Sequence, residues 1–316
     1  MTDAPKPTTS DHIVVCLPDI PELAHLGRLP KSVEVRLASP PGPVPNLAEV
    51  DLVVPTTSMR STVLEALERP GRLRVIQTLT AGVDWLIGHV PEGVIVCNAR
   101  GVFDAPLAEW VVGAILGMQR GLFRARDAQA AREWRYDEPP ELAGRRVVIL
   151  GLGSIGAAIA DRLRPFGVDI VGVARSARED VHDLADLDVL LPGADILVNI
   201  LPLTSATIGL IGERQLALLP DGALVVNAGR GRTIVTDALV EELQTGRLRA
   251  ALDVTDPEPL PGDHPLWALP DVLITPHMGG DSTDTLRRAV ELAGDQIRRF
   301  AAGEPLINQV ARYLLD

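Results

Sequence analysis

Aromatic residues are nearly missing from this chain. They make up 3% of its 316 residues, so a core of stacked rings is excluded and Leu, Val, Ile and Ala must fill the interior. Cysteine is rarer still. Cys16 and Cys97 stand alone inside the apolar runs "HIVVCLP" and "GVIVCNA", with no Cys-x-x-Cys or His/Cys pairing. A disulfide framework and a structural zinc are thereby excluded, no metal site is expected, and both thiols read as reduced core residues of a cytoplasmic protein. Long hydrophobic runs are also lacking: the longest, "WVVGAILGM" (Trp110 to Met118), is less than half of what a bilayer crossing needs. The amino-terminal "MTDAPKPTTSD" has neither the apolar segment nor the basic lead of a signal peptide and reads as a frayed tail. Positive charge is in deficit, with a net charge of −12 and no Lys/Arg-rich run, which argues against nucleic acid as a partner. A membrane partner is equally unexpected.

What the chain does have is alternation. In the first hundred residues "HIVVCLP", "VEVRLA", "DLVVP", "RLRVIQTL" and "GVIVCNA" are five short β-branched runs separated by segments such as "MRSTVLEALERPG". Continuous apolar runs, rather than alternating ones, belong to strands buried on both faces, so this is a parallel α/β pattern. A long helical stretch is predicted from Ala105 to Arg132, followed by a proline-rich break at "YDEPPELAGRR". Six further runs then follow: "RRVVILG", "VDIVGVA", "ADILVNI", "GALVVNA", "RAALDV" and "DVLITPH". Six strands alternating with helices is the count of a doubly wound dinucleotide-binding sheet, which therefore begins inside the chain. A last helix, "TDTLRRAVELAGDQIRRFAAG", should end at Gly303 as its cap.

The second set opens on "RRVVILGLGSIGAAIADRL", which puts Gly151, Gly153 and Gly156 between a strand and a helix. In a dinucleotide turn the first glycine permits the bend, the second lets the backbone approach a pyrophosphate, and the third lets helix and strand pack closely. Ser154 and Ile155 begin the helix, whose amino terminus offers unpaired N–H groups and partial positive charge to phosphate. One expected residue is absent. The following strand should end in an acid that hydrogen-bonds the adenosine ribose of NAD, yet "GVARSARED" ends in Ala174, Arg175 and Ser176. Asp169 cannot substitute, because it sits at the other end of that strand, roughly 15 Å away in extended chain. Ala174 leaves room for an extra 2′-phosphate, and Arg175, Ser176 and Arg178 supply donors for it. The reading favours NADP(H) and keeps NAD(H) as the alternative.

Three later strand ends carry ionisable residues: Arg230 in "VVNAGRGRTIV", Asp253, Asp256 and Glu258 in "ALDVTDPEPLP", and His277 in "LITPHMGG". Each alone reads as a loop or core residue. Together they are what hydride transfer to a 2-oxo acid requires: a guanidinium for the carboxylate, a proton donor for the carbonyl oxygen, and an acid to keep that donor charged. Spacing alone does not say which acid pairs with His277.

The order "GLGSIG", "NAGRG", "ALDVTDPEP", "TPH", preceded by "QTLTAGVDWL" and "VCNARGVFDAPLAEWVVGAIL", resembles the D-isomer-specific 2-hydroxyacid dehydrogenases from about Gln77 to Gly280. The resemblance implies two parallel-sheet α/β domains, Rossmann-like and flavodoxin-like. The NAD(P)-binding domain, residues 101–283, would be inserted into a discontinuous substrate-binding domain formed by 1–100 and 284–316. It further implies Arg230 as the carboxylate-binding residue, His277 as acid/base and Glu258 as its partner, with Asp256 a bystander. Asp253, Pro202, Thr207, Ala228, His277 and Gly279 become cofactor-contacting positions along the nicotinamide half. Ala81 and Gly82 of "TAGVD" would offer backbone N–H groups to the substrate carboxylate.

By the same resemblance Trp134 in "AREWRYDEPP" is a substrate-site candidate reaching a neighbouring subunit, or else an interface or core anchor; Trp85 and Phe103 read as packing residues. Neither the further regulatory domain of longer phosphoglycerate dehydrogenases nor the extension of formate dehydrogenases is expected. That leaves small 2-oxo acids, with glyoxylate and hydroxypyruvate foremost, reduced to the D-2-hydroxy acid by a cytoplasmic homodimer associating through its nucleotide domain. Two alternatives stand beside this reading. One is a dinucleotide-sensing corepressor-like binding protein of the same fold; the other is an NAD-dependent dehydrogenase with a different substrate.

Overall fold

The computed structural model describes residues 12–42, 44, 46–69, 71–311 and 314. The tail read from "MTDAPKPTTSD" lies outside the described residues. The chain divides into two compact units, residues 1–103 with 282–316 and residues 104–281.

The first unit contains β1 (Ile13–Pro18), β2 (Val33–Ala38), β3 (Leu52–Val53), α1 (Arg60–Leu67), β4 (Val75–Gln77) and β5 (Ile95–Cys97). The pairings between these strands are parallel, in the order β2-β1-β3-β4-β5. Alternation along β1 explains why its run is apolar throughout. Ile13, Val15 and Leu17 face one core while Val14 and Cys16 face another, the second closed by Met59, Val63 and Leu67 at and within α1.

The second unit contains α2 (Asp104–Gln119), α3 (Leu122–Ala131), β6 (Arg146–Leu150), α4 (Ser154–Leu163), β7 (Asp169–Ala174), β8 (Val181–Asp183), α5 (Leu187–Leu190), β9 (Ile196–Asn199), α6 (Glu213–Leu218), β10 (Leu224–Asn227), α7 (Thr236–Gln244), β11 (Arg249–Leu252) and β12 (Val272–Ile274). Its parallel sheet runs β12-β11-β10-β9-β6-β7-β8. Strand order reverses between β6 and β9, so a crevice opens above the carboxyl ends of those two strands, where open sheets bind ligands. On one face Val147, Ile149, Val198 and Val226 pack with Val111 and Ile115 of α2 and Ile159 of α4. On the other, Val148, Leu197, Val225 and Leu252 pack with Leu216 of α6 and with Leu239 and Leu243 of α7.

The last helix, α8 (Thr285–Ala302), ends at Gly303 with φ 68° and belongs to the first unit. Its Ala289, Val290, Ala293 and Ile297 form one stripe at helical spacing and close the core over Ile13, Val15 and Leu17.

Two details differ from the pattern read in the sequence. The stretch from Ala105 to Arg132 is two helices, because the chain turns at Gly121 (φ 64°) and folds Phe123 back onto Gly117. A Cβ at Gly117 would lie 2.5 Å from the Phe123 ring, so a larger residue there would displace that ring. The other difference is β8, a seventh strand that the six runs did not include. "VHD" has no apolar run because β8 is a short edge strand, paired only to β7.

Candidate active site

All the strand-end residues of the second unit gather along one edge of its sheet, since its strands are parallel and each loop leaves from a carboxyl end. The glycine turn follows β6. Gly151 has φ 102°, and a Cβ there would lie 2.9 Å from the Ile200 carbonyl oxygen. Gly156 is tighter, with a Cβ only 2.3 Å from the Gly151 carbonyl oxygen, so helix and strand meet at a distance only glycine allows. Gly153 is exposed, and a Cβ there would meet nothing within 4 Å. It is also the N-cap of α4 and supplies no side-chain cap. The helix thus keeps its first N–H groups for an outside acceptor, which is the donor set a pyrophosphate needs. Ser154 Oγ donates to Asp104 Oδ1 at 3.2 Å, while the Ile155 side chain packs into the core. These features fit a dinucleotide.

Beyond β7, Ala174 is half-buried and Arg175, Ser176 and Arg178 are exposed. Arg178 reaches back to the glycine turn, donating from Nη2 to the Leu152 carbonyl oxygen at 2.6 Å. Its backbone pairs with Val181 in both directions, which closes the loop into a tight return. After β9, the Thr207 hydroxyl is turned inward. It donates to the Pro202 carbonyl oxygen at 2.6 Å and accepts from the Thr204 N–H at 2.8 Å, so Thr207 shapes this loop while Pro202 stays exposed.

Arg230 leaves the sheet after β10 beyond buried Ala228. It stands between two glycines that are sterically obligatory: a Cβ at Gly229 would lie 2.8 Å from the Leu201 carbonyl oxygen, and one at Gly231 only 1.9 Å from that of Thr255. The Arg230 loop is therefore pressed against both neighbouring loops. Beneath it lie Asn199, Asn227 and Thr233, all buried and hydrogen-bonded to one another, residues that the sequence analysis passed over. Their signal was available. "ILVN" and "LVVN" both end in Asn, and the two are register partners.

The loop after β11 carries three acids with three different fates. Asp253 is buried and accepts from the Thr275 hydroxyl (2.6 Å) and the Met278 N–H (2.9 Å) on one oxygen, and from the Gly279 N–H (2.9 Å) on the other. It clamps the loop that follows β12. Asp256 is exposed, with its carbonyl held by the Thr236 hydroxyl at 2.8 Å. Glu258 is the acid that meets the imidazole: its Oε1 lies 2.6 Å from His277 Nδ1, both side chains nearly half-exposed. Prolines flank Glu258 on both sides and limit its backbone, while Thr255 Oγ1 to Pro257 O (2.9 Å) and Trp267 Nε1 to Pro261 O (2.8 Å) brace the loop.

His277 itself has φ 53°, the left-handed region, which costs a non-glycine residue about 1–2 kcal/mol. Its N–H bonds to the carbonyls of Asp253 (2.8 Å) and Thr275 (3.0 Å), so the Asp253 clamp and the strained backbone are one arrangement. Strain of this kind persists where the surroundings over-determine it. A Cβ at Gly279 would lie 2.8 Å from Asp253 Oδ2, leaving glycine as the residue that lets the clamp close.

In the first unit the "TAGVD" turn is held by its carbonyls, Asn98 Nδ2 donating to Ala81 O (2.7 Å) and Thr80 Oγ1 to Gly82 O (2.9 Å). Among the described residues no acceptor takes the Ala81 or Gly82 N–H. Trp134 is fully exposed, as Tyr136 nearly is, which removes the reading of Trp134 as a core anchor. Trp85 and Phe103 do pack against the cores of their unit. Cys16 and Cys97 are free and buried, and burial pushes their thiols up to about 11 and about 12. Among the described residues no group of three His, Cys, Asp or Glu could hold a metal, and no helix is long and apolar enough to cross a membrane.

Residues 112–279 match the family model described as D-isomer specific 2-hydroxyacid dehydrogenase, NAD binding domain. The chain is 34% identical over 259 residues to a glyoxylate reductase of Thermofilum pendens, covering 76% of this chain and 75% of that one. Among solved structures it resembles an NADPH-dependent glyoxylate/hydroxypyruvate reductase of Sinorhizobium meliloti in complex with NADP and sulfate, with TM-score 0.83, 30% identity and coverage of 96% of this chain and 100% of that one. A D-isomer specific 2-hydroxyacid dehydrogenase of Xanthobacter autotrophicus Py2 in complex with NADPH and MES gives TM-score 0.81 at 32% identity, covering 96% and 98%. The chain belongs to the D-isomer specific 2-hydroxyacid dehydrogenase family, NAD(P)-dependent oxidoreductases of small 2-hydroxy and 2-oxo acids.

Proposed function

We propose that this protein reduces a small 2-oxo acid of the glyoxylate/hydroxypyruvate type to the D-2-hydroxy acid, with NADPH as the preferred cofactor. The observation that carries the reading is the His277–Glu258 contact at 2.6 Å, on the same sheet edge as Arg230 and the glycine turn. A nicotinamide dinucleotide, when bound, supplies the hydride. Gly151 and Gly153 would shape the turn around its pyrophosphate, the backbone N–H groups of Ser154, Ile155 and Gly156 at the start of α4 would hold it, and Pro202, Thr207, Ala228, Asp253 and Gly279 would line its nicotinamide half.

His277 is the acid. Glu258 accepts the Nδ1 proton and orients the ring, which leaves Nε2 to deliver its proton to the carbonyl oxygen as the alkoxide develops. In the oxidative direction neutral His277 takes the proton back. Arg230 binds the substrate carboxylate and polarises the carbonyl, and the Ala81 and Gly82 N–H groups are read as further donors to the carboxylate. NADPH preference rests on Ala174, Arg175, Ser176 and Arg178. The Arg178 bond to Leu152 supports it, because it holds a cation beside the turn.

Residues 101–283 are read as the nucleotide-binding domain and 1–100 with 284–316 as the substrate-binding domain. Exposed Trp134 and Tyr136, with exposed Leu122 and Phe123 nearby, support a homodimer formed through the nucleotide-binding domain, in which Trp134 approaches the partner's substrate. Two free, buried thiols support a reducing, cytoplasmic setting. The test is a panel of glyoxylate, hydroxypyruvate, pyruvate and phenylpyruvate, each with NADPH and with NADH, followed at the nicotinamide absorbance. Turnover of glyoxylate or hydroxypyruvate, faster with NADPH, is expected; no turnover of any 2-oxo acid with either cofactor would sink the reading.

A further inference from the structure

The polar cluster beneath Arg230 takes no part in the chemistry above, yet its hydrogen bonds form a continuous directional set. Asn199 Nδ2 carries two hydrogens. One goes to Asn227 Oδ1 at 2.9 Å and the other to Thr233 Oγ1 at 2.6 Å. The Thr233 hydroxyl, having accepted, spends its own hydrogen on the Arg230 main-chain carbonyl at 2.6 Å, and Asn227 Nδ2 reaches the same oxygen at 3.2 Å. The Thr233 N–H is a third donor to it, also at 3.2 Å. Two acceptors complete the set: Asn199 Oδ1 takes the Leu201 N–H (3.3 Å) and Asn227 Oδ1 the Gly229 N–H (3.2 Å).

Burying three polar side chains at the end of an apolar sheet is costly unless each is satisfied, and a buried network satisfied throughout is rigid and specific. A loop that needed only stability could be closed by apolar packing. This one instead fixes the orientation of a single peptide carbonyl, that of Arg230, with three donors. We propose that Asn199, Asn227 and Thr233 are positioning residues for the substrate carboxylate, setting the main chain from which the Arg230 guanidinium projects. The inference rests on the reading of Arg230 as the carboxylate-binding residue. The same network ties the Arg230 loop to the loop that begins at Leu201, so the two loops share one support.

Thr233→Val keeps the shape and removes the hydroxyl; Thr233→Ser restores it. With NADPH and a 2-oxo acid turned over by the wild type, Thr233→Val should raise KM for the oxo acid about 10-fold or more, the scale of a small misplacement of a positioned group. The dissociation constant for NADPH should stay within about twofold, and Thr233→Ser should recover most of the loss. Calorimetric titration of oxalate into the NADP+-loaded protein should weaken in parallel. If Thr233→Val does not fold, Asn227→Ala removes a different donor from the same carbonyl and should raise the same KM by a smaller factor. A folded Thr233→Val or Asn227→Ala variant with unchanged KM and unchanged oxalate affinity overturns the inference while leaving the proposed reaction intact. A wild type that turns over no 2-oxo acid overturns the reaction, and the positioning role with it.

Discussion

The loops after β10, β11 and β12 and the loop after β7 lie on the same sheet edge, yet they are built in opposite ways. The first three are braced by defined hydrogen bonds: buried Asn199, Asn227 and Thr233 hold the Arg230 loop, buried Asp253 ties the loop after β11 to the His277 loop, and Thr255 and Trp267 brace the segment around Glu258. The loop after β7 is built on the surface. Residues 175–180 are all exposed, and Arg178 donates to the Leu152 carbonyl oxygen in the glycine turn. Chemistry that tolerates little displacement is carried on rigid loops, while the choice between two nucleotides is left to an exposed one where residues can change without disturbing packing.

That comparison predicts a graded series of effects. His277→Ala should lower kcat by about 10²–10⁴-fold, the usual worth of a positioned acid, with NADPH binding nearly unchanged. A comparable loss of cofactor affinity would show that the residue holds the nucleotide rather than the proton. Glu258→Gln removes the carboxylate that meets His277 Nδ1 at 2.6 Å and should lower kcat by about 10-fold or more, less than the loss of His277 itself, with NADPH affinity nearly unchanged. An unchanged kcat would contradict the pairing.

Asp253→Asn comes next. It turns a donor toward the Gly279 or Met278 N–H inside the protein, so it should cost about 1–3 kcal/mol of stability and lower kcat through the loosened His277 loop. Chemical denaturation together with kcat reads both, and a variant as stable and as fast as the wild type would break the clamp argument. Smallest of all, both thiols should resist an aromatic disulfide reagent until the protein unfolds, because burial keeps them protonated with thiols at about 11 and about 12. Rapid labelling of the native protein would show that Cys16 or Cys97 is accessible.

Much of this was legible in the sequence, and for physical reasons. Strands buried on both faces leave continuous apolar runs, which is why all five strands of the first sheet and six of the second stood out. A glycine turn between strand and helix is constrained sterically, so "GLGSIG" announced Gly151 and Gly156 as positions where a Cβ would collide. The rest depended on contacts distant in sequence. Glu258, not Asp253 or Asp256, meets His277 because of how the loop after β11 is braced, which spacing does not encode. Asn199, Asn227 and Thr233 looked like ordinary polar ends of strands, and only the register between β9 and β10 brings them together. The break in the helical stretch from Ala105 to Arg132 is set by the left-handed turn at Gly121, which the apolar pattern on either side does not encode.

The most direct test of the division between anchored and exposed loops is the ratio of kcat/KM with NADPH to kcat/KM with NADH, measured for glyoxylate in the wild type and in an Arg175→Ala, Arg178→Ala double variant. Loss of charge-assisted bonds to a 2′-phosphate should reduce that ratio by about 10–100-fold. Meanwhile kcat with saturating NADPH should stay within about twofold, since neither arginine belongs to the loops of Arg230, Glu258 or His277. An unchanged ratio, or a kcat that falls in step with it, would contradict the account.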